Sequence, residues 1–255
     1  MENHNAVLKE TFNQYGFPLT THQAAQFVQY RDELLRWNRQ FNLTAITNKD
    51  EITHKHFLDS LGVLEHIALK GGDTVIDIGT GAGFPGIALK IYVPDIRLTL
   101  VEASKKKGSF LKFLIAKLNL DQEHRTKNAT PTSILKARVL GSSDIHTKGT
   151  RSSSNQRAEV KVLMERAEVC TQDPNHAGTY DWVFTRYVAT LRDSAAYCMP
   201  FLKSTGKWVA YKSGKEIIDT EINESTTDLN ALGGSVETVF TTPKFNRNYV
   251  VIGKT

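Results

Sequence analysis

A short apolar run followed by closely spaced glycines is the feature that most constrains the fold of this chain. The run covers residues 74–78 and carries Asp77 near its end. Four glycines follow it: Gly79, Gly81, Gly83 and Gly86. Because β-branched residues favour strands and clustered glycines favour tight loops, this order predicts a strand, a loop and then a helix. A loop without side chains also lets a ligand approach its backbone at the end of the strand.

Two kinds of nucleoside-binding loop match these glycines. The last three of them fit the GxGxxG pattern of dinucleotide-binding folds. In that register, however, the strand would contain both Asp77 and Gly79, which are unfavourable inside a strand. Counted from Gly79, the strand is uninterrupted and the pattern becomes an acid followed by x-GxGxG. That pattern resembles motif I of class I S-adenosylmethionine-dependent methyltransferases.

A second acid stands at the end of the next apolar run. This run covers residues 96–102 and ends in Glu102. A doubly wound sheet places an acid at this point, where the carboxylate binds the hydroxyl groups of a ribose. An acid near the end of each of two successive strands therefore favours a nucleoside cofactor over a loop that only turns the chain.

Strand and helix patterns alternate along the rest of the chain. The predicted order begins with strand 73–78, helix 85–92, strand 96–102 and helix 105–119. Further strands are predicted at 159–165, 180–185, 206–211, 235–240 and 248–252, and further helices at 189–199 and 215–231. Residues 241–247 leave no room for a helix, so the last two strands should form an antiparallel hairpin. The predicted fold class is α/β, a Rossmann-like sheet of seven strands, mostly parallel with one antiparallel strand.

The chain divides into a helical start and an α/β domain. Residues 1–70 are predicted to be an N-terminal helical extension, with an amphipathic helix from Thr20 or Thr21 and a second one capped by Asn48 or Asp50. Residues 71–255 are predicted to form the α/β domain.

Within the α/β domain, residues 121–158 interrupt the pattern. They contain seven Lys or Arg against three acids, and the tract 147–156 has no apolar side chain. Such a segment buries too little surface to offset its chain entropy, so it is predicted to be a flexible insertion offered to solvent or RNA.

Composition is that of a globular protein, with 40% hydrophobic and 23% charged residues and a net charge of +5. The two cysteines form no CxxC pair, which favours a reducing compartment. No run approaches the roughly 18 apolar residues of a membrane span, and the polar start differs from a signal peptide, so a cytoplasmic location is expected. His54 and His56 lie two residues apart and would point to different faces of a helix. No metal site is predicted.

Several motifs together resemble one family. They are Asn42–Thr44, His56–Leu61, Asp77–Gly86, Glu165–Glu168, Thr185–Arg186, Lys212 and Arg247–Lys254. The set resembles the RsmG family, also called glucose-inhibited division protein B, which are bacterial 16S ribosomal RNA guanine-N7 methyltransferases. The resemblance covers nearly the whole chain except the insertion.

This resemblance implies a cofactor, a substrate and site residues. The cofactor is S-adenosyl-L-methionine, and the partner is 16S ribosomal RNA or the small ribosomal subunit, bound by a monomer. The implied cofactor-binding residues are Asp77, Gly79, Gly81, Gly83, Phe84, Glu102, Ala167, Glu168 and Arg186. The candidates for the substrate pocket are Arg186, Tyr187 and Lys212. Methylation of guanine N7 removes no proton, so no general base is expected.

The chain departs from the family pattern at two positions. Tyr187 stands where the family has a small residue, and Ser213 stands where it has glycine. Both positions border the implied guanine pocket. Two further interpretations therefore stay open: a methyltransferase for another RNA, a small molecule or a protein, and a non-catalytic RNA-binding relative.

Overall fold

Seven strands form one sheet in this computed structural model, which describes residues 2–121 and 159–255. The strands are β1 Thr74–Ile78, β2 Arg97–Val101, β3 Val160–Leu163, β4 Tyr180–Arg186, β5 Leu202–Lys212, β6 Gly234–Thr242 and β7 Arg247–Lys254. Their order is β3-β2-β1-β4-β5-β7-β6. The first five are parallel, and β7 runs antiparallel to both of its neighbours. The predicted sheet is confirmed.

The helices predicted at 85–92, 105–119, 189–199 and 215–231 are present, and the short helix Ala167–Cys170 was not predicted. The helices are α1 Glu2–Gln14, α2 Thr21–Phe41, α3 Lys49–Ile52, α4 Asp59–Leu61, α5 Gly86–Tyr92, α6 Lys105–Lys117, α7 Ala167–Cys170, α8 Leu191–Cys198 and α9 Lys215–Ala231. The second predicted N-terminal helix is not uniform, because a π-helical turn, Thr53–Leu58, joins α3 to α4 and a 3-10 turn, Gly62–Glu65, follows. β5 begins at Leu202 rather than at residue 206, because Leu202 already pairs with Tyr180 ahead of a register shift.

The register of the parallel strands brings their carboxyl ends to one edge. Ile78 pairs with Val101 on one side and with Thr185 on the other. Val101 pairs in turn with Leu163. The loops that follow β1 to β4 therefore emerge side by side, which is where open α/β sheets bind ligands.

The N-terminal helices share the core of the sheet. Thr20 and Gln23 form a capping box at the start of α2. The Gln23 side chain then donates to the carbonyls of Ile91 and Tyr92 at 2.9 and 3.0 Å, which fixes α2 against the end of α5. Phe27, Leu34 and Phe57 belong to the same buried cluster as the sheet residues Val75, Leu100 and Phe184. The helical extension therefore packs as one layer of the domain.

A second apolar cluster covers the opposite face of the sheet. Ile76, Val183, Trp208 and Ile252 point into it, and Leu191 of α8 packs against them. Both free cysteines, Cys170 and Cys198, are buried on this side. Helices on both faces of a mostly parallel sheet make the three layers of a doubly wound fold.

The predicted insertion lies outside the described residues except for its first member. Asp121 accepts a hydrogen bond from the Val160 N–H at 2.9 Å, which brings the end of α6 to the start of β3. Within 2–121 and 159–255, no helix is long and apolar enough to cross a membrane.

Candidate functional site

The glycine loop, residues 79–86, adopts a conformation that side chains oppose. Gly79, Gly81 and Gly83 have φ values of 68°, 62° and 102°, which lie in the region that favours glycine. A Cβ atom at Gly83 would lie 2.7 Å from the Tyr30 hydroxyl, whereas one at Gly81 would meet nothing nearer than a backbone oxygen at 4.0 Å. The loop is therefore packed against Tyr30 at Gly83 and has open space at Gly81. Open space beside the backbone lets a ligand approach the loop.

Asp77 closes this loop from inside the protein. Its side chain is fully buried, and Oδ2 accepts from the Thr80 hydroxyl at 2.6 Å and from the Gly86 N–H at 2.7 Å. Burial raises the pKa of this carboxyl group to about 7, even though the two hydrogen bonds act in the other direction. A Cβ atom at Gly86 would lie 2.8 Å from Oδ2, so this glycine leaves room for the carboxylate. The structure thus gives Asp77 a role in shaping the loop, and direct contact with a cofactor stays a prediction.

Glu102 bridges the glycine loop and the start of α6. Its Oε2 accepts from the Gly81 N–H at 3.0 Å, and its Oε1 accepts from the Ser104 N–H at 2.8 Å. Ala167 is buried and Glu168 exposed at the start of α7, just beyond β3. The implied cofactor-binding residues of β1, β2 and β3 are thus brought to one edge of the sheet.

Phe84 fills the space between the loop and the N-terminal helices. Its ring stacks on Tyr30 at 5.2 Å and on His56 at 4.5 Å between centroids. The Tyr30 hydroxyl donates to the Ala82 carbonyl at 2.6 Å. Burial, and then the charge of Arg186, lower the pKa of His56 to about 3, so this imidazole is neutral. Phe84, expected to line the cofactor pocket, lies 7% exposed inside this stack.

Arg186, Arg247, Asp59 and Tyr187 form a group that we call the arginine cluster. Asp59 accepts from Arg186 at 2.9 Å and from Arg247 at 2.8 and 3.0 Å. Arg186 also donates to the Lys55 carbonyl at 2.6 Å, in the π-helical turn. Burial acts to lower the pKa of Arg247, but its bonds to Asp59 outweigh burial and raise it. Both guanidinium groups are therefore held by one carboxylate.

Tyr187 stands out from this cluster into solvent. It is 71% exposed and has a φ of 55°, an uncommon backbone conformation for a bulky residue. The guanidinium carbons of Arg186 and Arg247 lie 5.2 and 4.9 Å from its ring centre. Its hydroxyl accepts from Arg247. Burial acts to raise the pKa of Tyr187, but the bond and charge of Arg247 outweigh this and lower it.

Lys212 is tied to neighbouring elements rather than free. Its ammonium donates to the Ala189 carbonyl at 2.7 Å and forms an ion pair with Glu221 of α9. Glu221 also accepts from the Leu191 N–H at 2.6 Å. Lys212 therefore joins the end of β5 to the segment that follows β4.

Two cavities meet at Tyr187. One, of about 740 Å³, lies between β4, β5 and α9 and is lined by Val188, Lys212, Glu221 and Glu224 among others. The other, of about 580 Å³, lies over the π-helical turn and is lined by Lys55, Arg186, Lys244 and Arg247 among others. Val188 also covers Gly79, because a Cβ atom there would lie 2.8 Å from Val188 Cγ2. The segment after β4 thus meets the glycine loop through Val188 and lines both cavities through Tyr187.

Sequence reasoning missed part of this site. Asp59 and Arg247 belong to motifs noted in the sequence, yet neither was expected to be a site residue. Their signal is a charged residue beside apolar neighbours, since Asp59 follows Phe57 and Leu58 and Arg247 begins the largely apolar strand β7. His54 and His56 bond to the Asp50 carbonyl and to Thr44, both at 2.8 Å. Among the described residues no group of His, Cys, Asp and Glu is arranged to hold a metal ion.

Known proteins resemble this chain in sequence and in fold. The family model GidB, described as rRNA small subunit methyltransferase G, matches residues 23–157 and 150–250. The ribosomal RNA small subunit methyltransferase G of Alkaliphilus metalliredigens is 35% identical over 230 residues, covering 90% of this chain and 80% of that protein. The protein of the same name from Roseiflexus sp. strain RS-1 is 37% identical over 233 residues, with coverages of 90% and 81%.

A solved structure supports the fold independently. A mutant of MtNAS in complex with S-adenosylmethionine matches 98% of this chain and 77% of its own, with a TM-score of 0.53 and 12% identity. Identity this low supports the fold alone, whereas the sequence matches extend over both the glycine loop and the arginine cluster. The chain therefore belongs to the GidB family, the family of rRNA small subunit methyltransferase G.

Proposed function

We propose that this protein transfers a methyl group from S-adenosyl-L-methionine to N7 of a guanine in 16S ribosomal RNA. Membership of the GidB family carries this proposal, because relatives matched over about 90% of the chain are named as small subunit rRNA methyltransferases. Guanine N7 comes from the resemblance of the motifs. The ribosomal substrate also supports a cytoplasmic location, and we propose that the protein acts as a monomer.

The residues at the edge of the sheet fit the cofactor. Gly81 leaves open space beside its Cα, and the Glu102 carboxylate stands next to it. Gly79, Gly81 and Gly83 would approach the cofactor through backbone, Glu102 would bind its ribose, and Ala167 and Glu168 would bind its adenine. Asp77 would act through the shape of the loop, and Phe84 through its stack. Arg186, which lies beyond Phe84, is the remaining cofactor-binding candidate.

Methyl transfer to guanine N7 mainly requires that the two reactants are held in the correct position. The cofactor supplies a methyl group already activated by its sulfonium. Guanine N7 has a lone pair and no proton to lose, so the protein needs to hold this atom in line with the methyl group, without a general base. Tyr187 offers an exposed ring on which a guanine taken out of its base stack can lie. Lys212 holds the segment that carries this tyrosine and Val188.

Methyl transfer to ribosomal particles tests the proposal. Small subunits from cells that lack the protein would be incubated with it and with methyl-labelled cofactor, beside naked 16S RNA and bulk protein. We expect label in 16S RNA as N7-methylguanine, and none in protein. Label elsewhere would indicate another substrate, and cofactor binding by calorimetry without any transfer would indicate a non-catalytic relative.

A further inference from the structure

The cavity of about 580 Å³ beside the arginine cluster combines positive charge, buried guanidinium groups and aromatic rings. We propose that it holds a phosphodiester group of the single-stranded RNA whose guanine lies on Tyr187. This inference rests on the proposed function and adds to it the place where the RNA backbone is held. The volume of this cavity falls in the range of about 300–1,000 Å³ that is usual for ligand sites.

Charge favours an anion here. Four cationic side chains line the cavity, Lys55, Arg186, Lys244 and Arg247, against the single carboxylate of Asp59. Just outside, Glu51 pairs with Lys55 and Glu65 pairs with Lys244. These pairs compensate the two lysines. One positive charge of the arginine cluster is left uncompensated, which is the charge that a single phosphodiester neutralises.

The uncompensated charge belongs to buried side chains, where it is costly without a further anion. The side chains of Arg186, Arg247 and Asp59 are 3, 5 and 3% exposed. A second buried guanidinium beside one carboxylate is costly unless a further anion joins it. Arg186 Nε is also buried without a hydrogen-bond partner in the described part of the chain, although such groups are normally satisfied. A buried pair of guanidinium groups that share one carboxylate is a site suited to a further anion.

Aromatic groups stand on the same walls. Tyr15 and Phe245 stack with ring centres 5.7 Å apart, and both line the cavity, as Tyr187 does. Interleaved cations and aromatic rings are the usual means of binding single-stranded RNA, because phosphates meet the cations and bases stack on the rings. Arginine suits the phosphate because its fork of donors matches the phosphate oxygens.

Salt dependence of RNA binding tests this assignment. The probe is a short fluorescein-labelled single-stranded RNA containing guanine, followed by anisotropy over a range of NaCl concentrations. Loss of one phosphate contact in Arg247→Met should lower the slope of log affinity against log salt by about 0.7, and the affinity near 0.1 M salt by about fivefold. Arg247→Lys should restore most of the slope, because it keeps the charge.

Two further variants keep the test decisive. Lys70→Gln removes one charge at the opposite edge of the sheet, before β1, where the side chain is exposed. It should leave the slope unchanged. Where circular dichroism shows that Arg247→Met does not fold, Lys55→Gln decides. Lys55 is 60% exposed at the mouth of the cavity, and its loss leaves the Glu51 carboxylate uncompensated there, so this variant should also lower the slope. An unchanged slope in the folded Arg247→Met variant, or in Lys55→Gln where that one decides, would overturn the inference.

The carboxylate of the cofactor is the rival candidate for the anion at this site. Calorimetry with S-adenosylmethionine distinguishes it from an RNA phosphate. Arg247→Met should leave cofactor affinity unchanged. A selective loss of cofactor affinity, with RNA binding intact, would assign the positive charge to that carboxylate and overturn the phosphate site. If the wild-type protein binds RNA through Arg247 but methylates no ribosomal RNA, only the proposed function fails. If it methylates ribosomal RNA but binds RNA independently of Arg247, only this inference fails.

Discussion

The glycine loop and the arginine cluster are the two halves of the candidate site, and they are built in opposite ways. The loop works through backbone, and its positive φ values and open Gly81 come from the absence of side chains. The cluster works through side chains from three distant parts of the chain, with Asp59 between Arg186 and Arg247. Phe84 separates them, packed against the loop and 5.9 Å from the Arg186 guanidinium. Each half should therefore fail in its own manner.

The largest effect on the free energy of unfolding is expected from Asp59→Asn, which changes the arginine cluster and not the glycine loop. The substitution leaves two buried guanidinium groups without their carboxylate, and breaking such a pair costs about 3–5 kcal/mol. Urea unfolding should show this loss in the free energy of unfolding. Glu51→Gln is the matched control, because it breaks the exposed pair with Lys55, which is worth at most about 1 kcal/mol. Equal effects of the two substitutions would show that the cluster is not buried as described.

The next effect concerns the loop and depends on pH. Burial raises the pKa of Asp77 to about 7 in the folded protein, above its ordinary value of 3.8. The folded state therefore holds the proton more tightly, so the associated stability is complete below about pH 4 and is lost as pH rises through 7. The loss should be about 4 kcal/mol, since the pKa rises by roughly three units and one unit corresponds to about 1.4 kcal/mol.

Asp77→Asn isolates this contribution. Its amide oxygen can still accept from Thr80 and Gly86, but it does not titrate. The free energy of unfolding of the wild type, minus that of this variant, should fall between pH 4 and 8. A difference that stays constant or rises with pH would mean that the carboxylate is ionised throughout and that its two hydrogen bonds outweigh burial.

The two halves also differ in how far the sequence predicts them. The loop could be placed before the structure was known, because Asp77, Gly81 and Glu102 lie within 26 consecutive residues, and strand ends and glycine spacing are local signals. The cluster could not, because Asp59 and Arg247 are 188 residues apart and only the order of the strands brings them together. The family motifs contain both residues, but they do not predict that Asp59 and Arg247 form an ion pair.

The sequence also does not predict which side chains contact each other around the site. Phe84 packs between Tyr30 and His56, and nothing local marks Tyr30 as its partner. The π-helical turn, which presents the Lys55 carbonyl to Arg186, falls in a segment whose pattern predicts an ordinary helix. Period and propensity give elements and their order, whereas these contacts depend on tertiary packing.

Gly81→Val should disable the loop and leave the cluster intact. A β-branched residue at φ 62° is strained by about 1–3 kcal/mol, so cofactor affinity should fall by about 10- to 100-fold as the loop moves to relieve the strain. Calorimetry with S-adenosylmethionine measures the loss. Gly233→Val is the matched control, since Gly233 has a φ of 68° with nothing within 4 Å of its Cβ position and precedes β6 at the other edge of the sheet. It should lose comparable stability with unchanged cofactor affinity, and an equal loss of affinity in both variants would refute the placement of the loop.

Tyr187 joins the two halves, and its substitution should have the smallest effect on the protein itself and a selective one on RNA. Its ring is exposed, so Tyr187→Ala should change the free energy of unfolding little. Affinity for single-stranded RNA should fall by the roughly 1–3 kcal/mol that stacking of a base on an aromatic ring contributes. Tyr187→Phe keeps the ring and loses only the bond from Arg247, so it should retain most of this affinity. If Tyr187→Phe weakens binding as much as Tyr187→Ala does, the hydroxyl matters more than the ring, and Tyr187 serves to orient Arg247 instead of carrying the base.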